Sequence, residues 1–230
     1  MPLARRIVAT VVVSGLALLC RAAMADDLNR VLRELDTAAA SFHSTTADFE
    51  FDTNVTDPIP DQDVQKGTAY YERRGADFSM AAHISQVDGR PVPKIYMYAH
   101  GALRLDEPLL NQVTTFKSAS KFESYVMLGF GASGKELEDK WEIRYLGSET
   151  LGGVKTEKLE LVAKDPAVRK NLPKVTVWLD TARAVSLKQD FDEGQGNTRV
   201  CTYSNIRVNQ PLPADAFKFK TDAKTQFIEH

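Results

Sequence analysis

The residues whose spacing most invites a chemical reading are Gly129-Phe130-Gly131-Ala132-Ser133-Gly134-Lys135. They satisfy G-x-G-x-x-G and nearly satisfy the phosphate-cradling G-x-x-x-x-G-K-[ST], except that Glu136 stands where a hydroxyl would meet magnesium. Both fingerprints need a strand before the glycines and a helix after them, so that backbone N–H groups converge on phosphate. The preceding residues 120–128 carry a helical pattern instead, and the stretch reads as a flexible glycine connection between helical pieces. His43, His83, His100 and His230 are scattered, with no H-E-x-x-H and no spacing that would set two metal ligands on one face. Ser133 lacks a G-x-S-x-G frame, and Cys201 lies in a strand pattern rather than at a helix N-terminus that would lower its pKa. Glu136 and Asp139 are close enough for acid–base work but read as a solvated helix face. These residues support neither an enzyme nor a metal site, and no cofactor is expected.

The more telling pattern is apolar. Phe49, Phe51, Phe78, Met80, Ile84, Ile95 and Met97 fall on alternating positions of successive strand segments, and Val126, Met127, Leu128 and Phe130 fall in a helical insertion. A closed core accounts for any one of them. A single curved sheet, however, has one concave face to fill, and methionine adapts its shape to an inconstant apolar guest. Phe49, Phe51, Phe78, Met80, Ile95, Met97, Met127, Leu128 and Phe130 are therefore expected to line an apolar ligand cavity.

The elements that must position these side chains are legible from periodicity. Leu28, Val31, Leu32, Leu35, Ala39 and Phe42 recur at helical spacing with charges between them, which predicts an amphipathic helix over Asp26–Phe42. From Thr46 the period becomes two: Ala47, Phe49, Phe51 and Val55 alternate with Asp48, Glu50, Asp52 and Asn54. Strands are then expected over 67–73, 77–87, 94–100, 102–106 and 112–116, with turns such as Asp88-Gly89 between them. Short helical pieces are expected at 121–128 and 135–140, and further strands over 141–145, 156–162, 174–180, 185–191 and 199–208. Between the early strands no segment is long enough for a parallel crossover. The fold expected is α+β, mainly β: a strongly curved antiparallel sheet, an incomplete barrel of about 10–11 strands, with an N-terminal helix and short helices over its concave face.

The N-terminus carries Arg5 and Arg6, an apolar run from Ile7 to Cys20, and Ala23-Met24-Ala25 with small residues at the peptidase positions. Residues 1–25 read as a cleaved signal peptide that exports residues 26–230, a single domain, to the periplasm. An uncleaved anchor is the alternative, but the run of about 14 residues is short of the span a bilayer needs. Cys20 invites a lipid-anchored reading, yet Leu18 and Leu19 precede it where a lipoprotein peptidase needs a small residue. Without the leader the charge moves from −2 to about −5, which gives nucleic-acid binding no support. One cysteine then remains, so stability rests on the core rather than on an intramolecular disulfide, and a monomer is expected.

Across nearly the whole mature chain the pattern resembles the LolA-like family of outer-membrane lipoprotein carriers. The N-terminal helix leads into Thr46-Ala47-Asp48-Phe49-Glu50-Phe51, similar to the family's T-A-x-F-x-Q strand, and Gly67-Thr68-Ala69-Tyr70-Tyr71-Glu72-Arg73 is similar to its G-x-L-x-x-x-R strand. Lys94–Gly101 looks like its strand ending in D-G, with His100 replacing the acid. The likeness continues in Leu128–Leu137, Lys158–Asp165, Tyr203–Asn209, Leu212-Pro213 and Phe217. The resemblance implies an incomplete barrel with a helical lid, acyl chains held between them, and no cofactor. It also implies partners: an inner-membrane ATP-driven (ABC-type) exporter that loads the carrier and an outer-membrane receptor that unloads it. One departure stands out. The family's R-P-G-x-F-R-W supplies a strand arginine that faces the lid and helps hold the empty cavity closed, whereas Arg74-Gly75-Ala76-Asp77-Phe78-Ser79-Met80 places Ser79 there. A different latch is expected.

Two other classes stay open. Sheets of this shape also serve as periplasmic sensory modules that bind lipids or lipoproteins, usually with a second domain for which this chain has no room. A periplasmic hydrolase would require a cluster of titratable residues inside the cavity.

Overall fold

In the computed structural model, which describes residues 25–75, 77–117 and 128–230, residues 25–39 form the amphipathic helix α1. Twelve strands follow: β1 (Ser44–Val55), β2 (Asp61–Arg74), β3 (Asp77–Val87), β4 (Arg90–Ala99), β5 (Ala102–Glu107), β6 (Gln112–Phe116), β7 (Trp141–Leu151), β8 (Val154–Ala163), β9 (Lys174–Asp180), β10 (Val185–Gly194), β11 (Asn197–Val208) and β12 (Gln226–Glu229). Two short helices, α2 (Gly134–Lys140) and α3 (Pro166–Asn171), interrupt them. The signal-peptide reading of residues 1–25, the helical piece expected over 121–128 and Met127 fall outside the described residues, apart from residue 25 and residue 128, which lies in a turn.

All twelve strands belong to one sheet in the order β12-β6-β5-β4-β3-β2-β1-β11-β10-β9-β8-β7. Neither β12 nor β7 pairs with the other, so the curved sheet stays open, as the sequence predicts. Every pairing is antiparallel except that of β12, which runs parallel to β6 from Gln226 opposite Gln112. The twelfth strand exceeds the expected count because the C-terminal segment returns to the sheet edge. Pro91 and Pro93 are tolerated in β4 because its pairing with β5 begins only at Ile95.

One face can be followed along the ladder. Val177, Gln189, Cys201, Phe51 and Gln65 stand in a row from β9 to β2, and Val175, Phe191, Arg199, Thr53 and Asp63 form the next. On the β7–β10 half this inner face is packed. Val31 and Leu35 of α1 and Leu137 of α2 join Trp141, Leu159, Leu161, Val175, Val177 and Leu179 in one cluster. Each such aliphatic side chain taken from water contributes about 1.5–3 kcal/mol.

Polar contacts set the helix on that bed. Arg30 Nη1 lies 3.2 Å from Glu157 Oε1 of β8, and Thr181 donates to Glu34 Oε2 at 2.7 Å. Glu157 also accepts from Tyr145 and Ser148, both at 2.7 Å. Burial works to raise its pKa, but hydrogen bonds from Ser148, Tyr145, Lys155 and Arg30 outweigh it and hold the carboxyl at about 2.

The glycine-rich stretch is not the flexible connection the sequence suggests. Gly131 N–H donates to Ala184 O at 2.8 Å, Ser186 N–H donates to Gly129 O at 2.6 Å, and Phe130 makes a β-bridge with Val185. A Cβ on Gly131, whose φ is +70°, would stand 2.3 Å from the Phe42 ring, and one on Gly134 would stand 2.4 Å from Leu32 O. These glycines admit close approach of α1, not of a phosphate.

Candidate functional site

Where α1 does not reach, the inner face holds a cavity of about 720 Å³. Phe49 and Phe51 of β1, Tyr71 of β2, Met80, Ala82 and Ile84 of β3, Tyr96 of β4 and Leu103 of β5 form one wall. Phe191 of β10, Cys201 and Tyr203 of β11, and Leu172 after α3 form the other. Strand alternation turns these side chains inward while their neighbours Asp48, Glu50 and Asp52 turn out. The hollow persists because Ala69 and Ala82 are small where the facing positions would need bulk to close it.

Its floor is a buried aromatic and polar network. Phe130 stacks on Tyr71 at 3.9 Å between ring centres and meets Tyr203 edge-on at 4.8 Å. Tyr203 donates to Gln189 Oε1 at 3.1 Å, and Gln189 in turn donates to the Leu128 carbonyl. Burial pushes the Cys201 thiol up to about 12 and raises the Tyr71 and Tyr203 hydroxyls, so all three are neutral at physiological pH. The cavity wall is therefore uncharged in its deeper part, and its one thiol is held in the unreactive form.

Of the nine side chains expected at the cavity, the eight that are described separate into groups. Phe49, Phe51 and Met80 line it. Phe78 and Phe130 are buried in the same cluster, Phe130 fully, as floor rather than as open wall. Leu128 packs with α1 in the other cluster. Ile95 and Met97 are corrections: Ile95 is opposite His83 and Asp106, and Met97 opposite Ala81 and Arg104, all on the outer face. The inward residues of β4 are Tyr96 and Tyr98. The outer face there is covered by the C-terminal segment, where buried Ala216 presents its carbonyl to His83 Nε2 at 2.9 Å and the Lys220 backbone hydrogen-bonds Asp106. Tyr71, Tyr96, Leu103, Leu172, Phe191 and Tyr203 are lining residues that the sequence reading did not single out.

Glu136 is a second correction. Asp139 is exposed as expected, but Glu136 is half-buried and occupied: it closes a capping box with Ser133 at the start of α2 and meets Arg73 Nη1 at 3.3 Å. Arg73, at the end of β2, is thus the arginine that ties a helix over the inner face to the sheet, while Ser79 pairs beside Glu72 on the outer side. Burial opposes ionisation of Glu136, but the Ser133 backbone N–H and Arg73 prevail and lower its pKa.

At the mouth the lining becomes polar. Asp61, Asp63, Thr53, Glu193 and Arg199 come from the adjoining ends of β2, β1, β10 and β11. Among the described residues the lining includes no histidine or serine, and no group of three or more potential ligands could hold a metal ion. No described helix is long and apolar enough to cross a membrane.

No protein-family profile matches the sequence, and no curated protein matches it. Solved structures do. The chain is similar to MucB at 12% identity and TM-score 0.54, covering 88% of this chain and 66% of that one, so it spans just under two thirds of MucB. It is similar to an uncharacterized conserved protein from Thermus thermophilus at 10% identity and TM-score 0.55, covering 88% of this chain and 98% of that one. The similar structures include a LolA superfamily protein from Nitrosomonas europaea, at 13% identity and TM-score 0.41, covering 83% and 97%. At these identities the likeness is one of fold.

Proposed function

We propose that this chain is an exported, non-enzymatic carrier that takes the acyl chain of a lipoprotein or another envelope lipid into the concave cavity and carries it between membranes. The observation that carries the reading is the unfilled, aromatic- and methionine-walled hollow of about 720 Å³, within the ~300–1,000 Å³ range of ligand pockets. An aqueous acyl chain costs about 0.8 kcal/mol per methylene, on the order of 12 kcal/mol for sixteen carbons, so a soluble escort is required. Release requires that part of this energy be returned, and the Arg73–Glu136 tie between β2 and α2 is a contact whose parting would loosen the open sheet from the helices over it. An inner-membrane exporter as donor and an outer-membrane receptor as acceptor complete the route.

The test is binding of a fluorescent fatty acid or a triacylated peptide to the purified protein. Phe51→Glu and Met80→Glu, which bury a carboxylate in the chain's path, are each expected to weaken it by about 100-fold. Undiminished binding in both variants, or none in the parent protein, ends the cavity reading.

A second reading, a periplasmic binding module that passes lipid occupancy to a signalling protein, is favoured by the likeness to MucB, which has been solved as a complex with MucA from Pseudomonas aeruginosa. The two part in a transfer assay: a carrier moves acyl chains from donor to acceptor vesicles, while a sensor retains its lipid and captures a membrane-anchored partner.

A further inference from the structure

The cavity mouth combines two features that the carriage of a plain hydrocarbon would not require. Asp63 and Arg199 flank Thr53 in one ladder row, two strand spacings apart or roughly 10 Å. Each is only half satisfied. Asp63 Oδ2 accepts from Gln65 at 2.8 Å, while its Oδ1 is buried without a hydrogen-bond partner. Arg199 Nη1 meets Glu193 at 3.2 Å, while its Nε is likewise buried and unpartnered. An unpaired buried polar atom is costly in a folded protein, and both side chains line the cavity mouth with hydrogen-bonding capacity that the protein leaves unused. The charge balance then chooses the kind of end. Glu193 answers Arg199, whereas Asp61 and Asp63 line the same mouth with no cation in ion-pair distance among the described residues.

We infer that this mouth selects an aliphatic chain whose head carries a protonated amine, with the Asp63 carboxylate receiving the ammonium and the Arg199 guanidinium donating to a neighbouring carbonyl or hydroxyl oxygen of the same head. The inference rests on the carrier reading. A carboxylate or phosphate head would meet two unbalanced aspartates, whereas an ammonium replaces its lost water with a charge-assisted bond to the Asp63 carboxylate. The amine could be that of an amino lipid or the free N-terminus of an acylated peptide.

The experiment is displacement of a neutral apolar fluorophore, N-phenyl-1-naphthylamine, from the full chain by ligands sharing one fourteen-carbon tail: tetradecylamine, tetradecanol, myristate and tetradecyl phosphate. The amine is expected to displace at about tenfold lower concentration than the alcohol, with both anions weaker than the alcohol. In Asp63→Asn the amine-to-alcohol ratio is expected to fall towards one; being a ratio, it does not depend on the folded fraction. Equal displacement by amine and anions, or a ratio unmoved by Asp63→Asn, overturns the inference while leaving the carrier reading in place. Failure of all four ligands, the alcohol included, overturns both. A lysophospholipid with an ethanolamine head and an S-palmitoylated cysteinyl peptide with a free N-terminus are then each compared with their N-acetylated forms. The source is the one whose affinity falls about tenfold on acetylation, and no fall in either overturns the inference.

Discussion

Phe51 and Met97 show how much rests on the phase of a strand. In β1 each apolar side chain has a charged neighbour, Asp48, Glu50 or Asp52, so alternation alone puts Phe49 and Phe51 inside, and the structure places both in the cavity wall. In β4 the run Ile95-Tyr96-Met97-Tyr98 is apolar at every position and offers two phases. The expectation that Ile95 and Met97 face inward takes the wrong phase: the tyrosines occupy the inner face, and Met97 is 6% exposed beneath the outer covering. The two sites are therefore expected to respond differently to substitution. Met97→Ala removes core volume and is expected to cost about 2–4 kcal/mol in denaturant unfolding, while the folded variant retains the parent's affinity for a fluorescent fatty acid. A Met97→Ala protein of native stability with weakened fatty-acid binding would return Met97 to the inner face and contradict the β4 register.

At the scale of elements, α1 was legible because about four turns of apolar spacing have one solution, and its role as a plug over half the concave face follows from Val31 and Leu35 being fully buried. The six-residue α3 is too short to show a period, though Asp165 and Pro166 announce it: the Asp165 carboxylate accepts from Ala167 N–H at 2.7 Å and proline takes the first turn. What periodicity could not give is the anchor of α1, since Arg30 and Glu157 are 127 residues apart. That anchor makes stability depend on pH. The folded pKa of Glu157, about 2, lies below its ordinary value of 4.5, so the ionised carboxylate stabilises the fold above about pH 4.5. This contribution is withdrawn as pH falls from there towards 2. Glu157→Gln is expected to lower the unfolding free energy at pH 7 by about 2 kcal/mol and to flatten its decline between pH 5 and pH 2. Urea titrations across that range measure both, and a variant curve parallel to the parent's would detach Glu157 from the acid transition.

For the molecule as a whole, the open sheet has an edge to protect, and the C-terminal segment does so in a way no local pattern announces. Residues 209–225 cross the outer face and Gln226–Glu229 then pair with β6, a parallel partnership across more than a hundred residues that leaves no mark in a four-residue strand. The covering is continuous with the core of that side: Ala81, Met97 and Val113 are buried there, and Ala216 seals His83. Burial lowers the His83 pKa against the opposing Ala216 carbonyl, so the imidazole under the strap is the neutral form at pH 7. Ending the chain after Asn209 is expected to expose this second apolar face and to leave β6 as a bare edge. With Met97 and Val113 returned to water, the loss is on the order of 3–6 kcal/mol, or roughly 6–20 °C in Tm for a chain of this length. Thermal melts with an anionic dye that reports exposed apolar surface measure it. Because the strap lies outside and the cavity inside, truncated protein that remains folded at low temperature is expected to keep chain binding, and loss of binding without loss of Tm would mean that the C-terminal segment serves the ligand rather than the sheet.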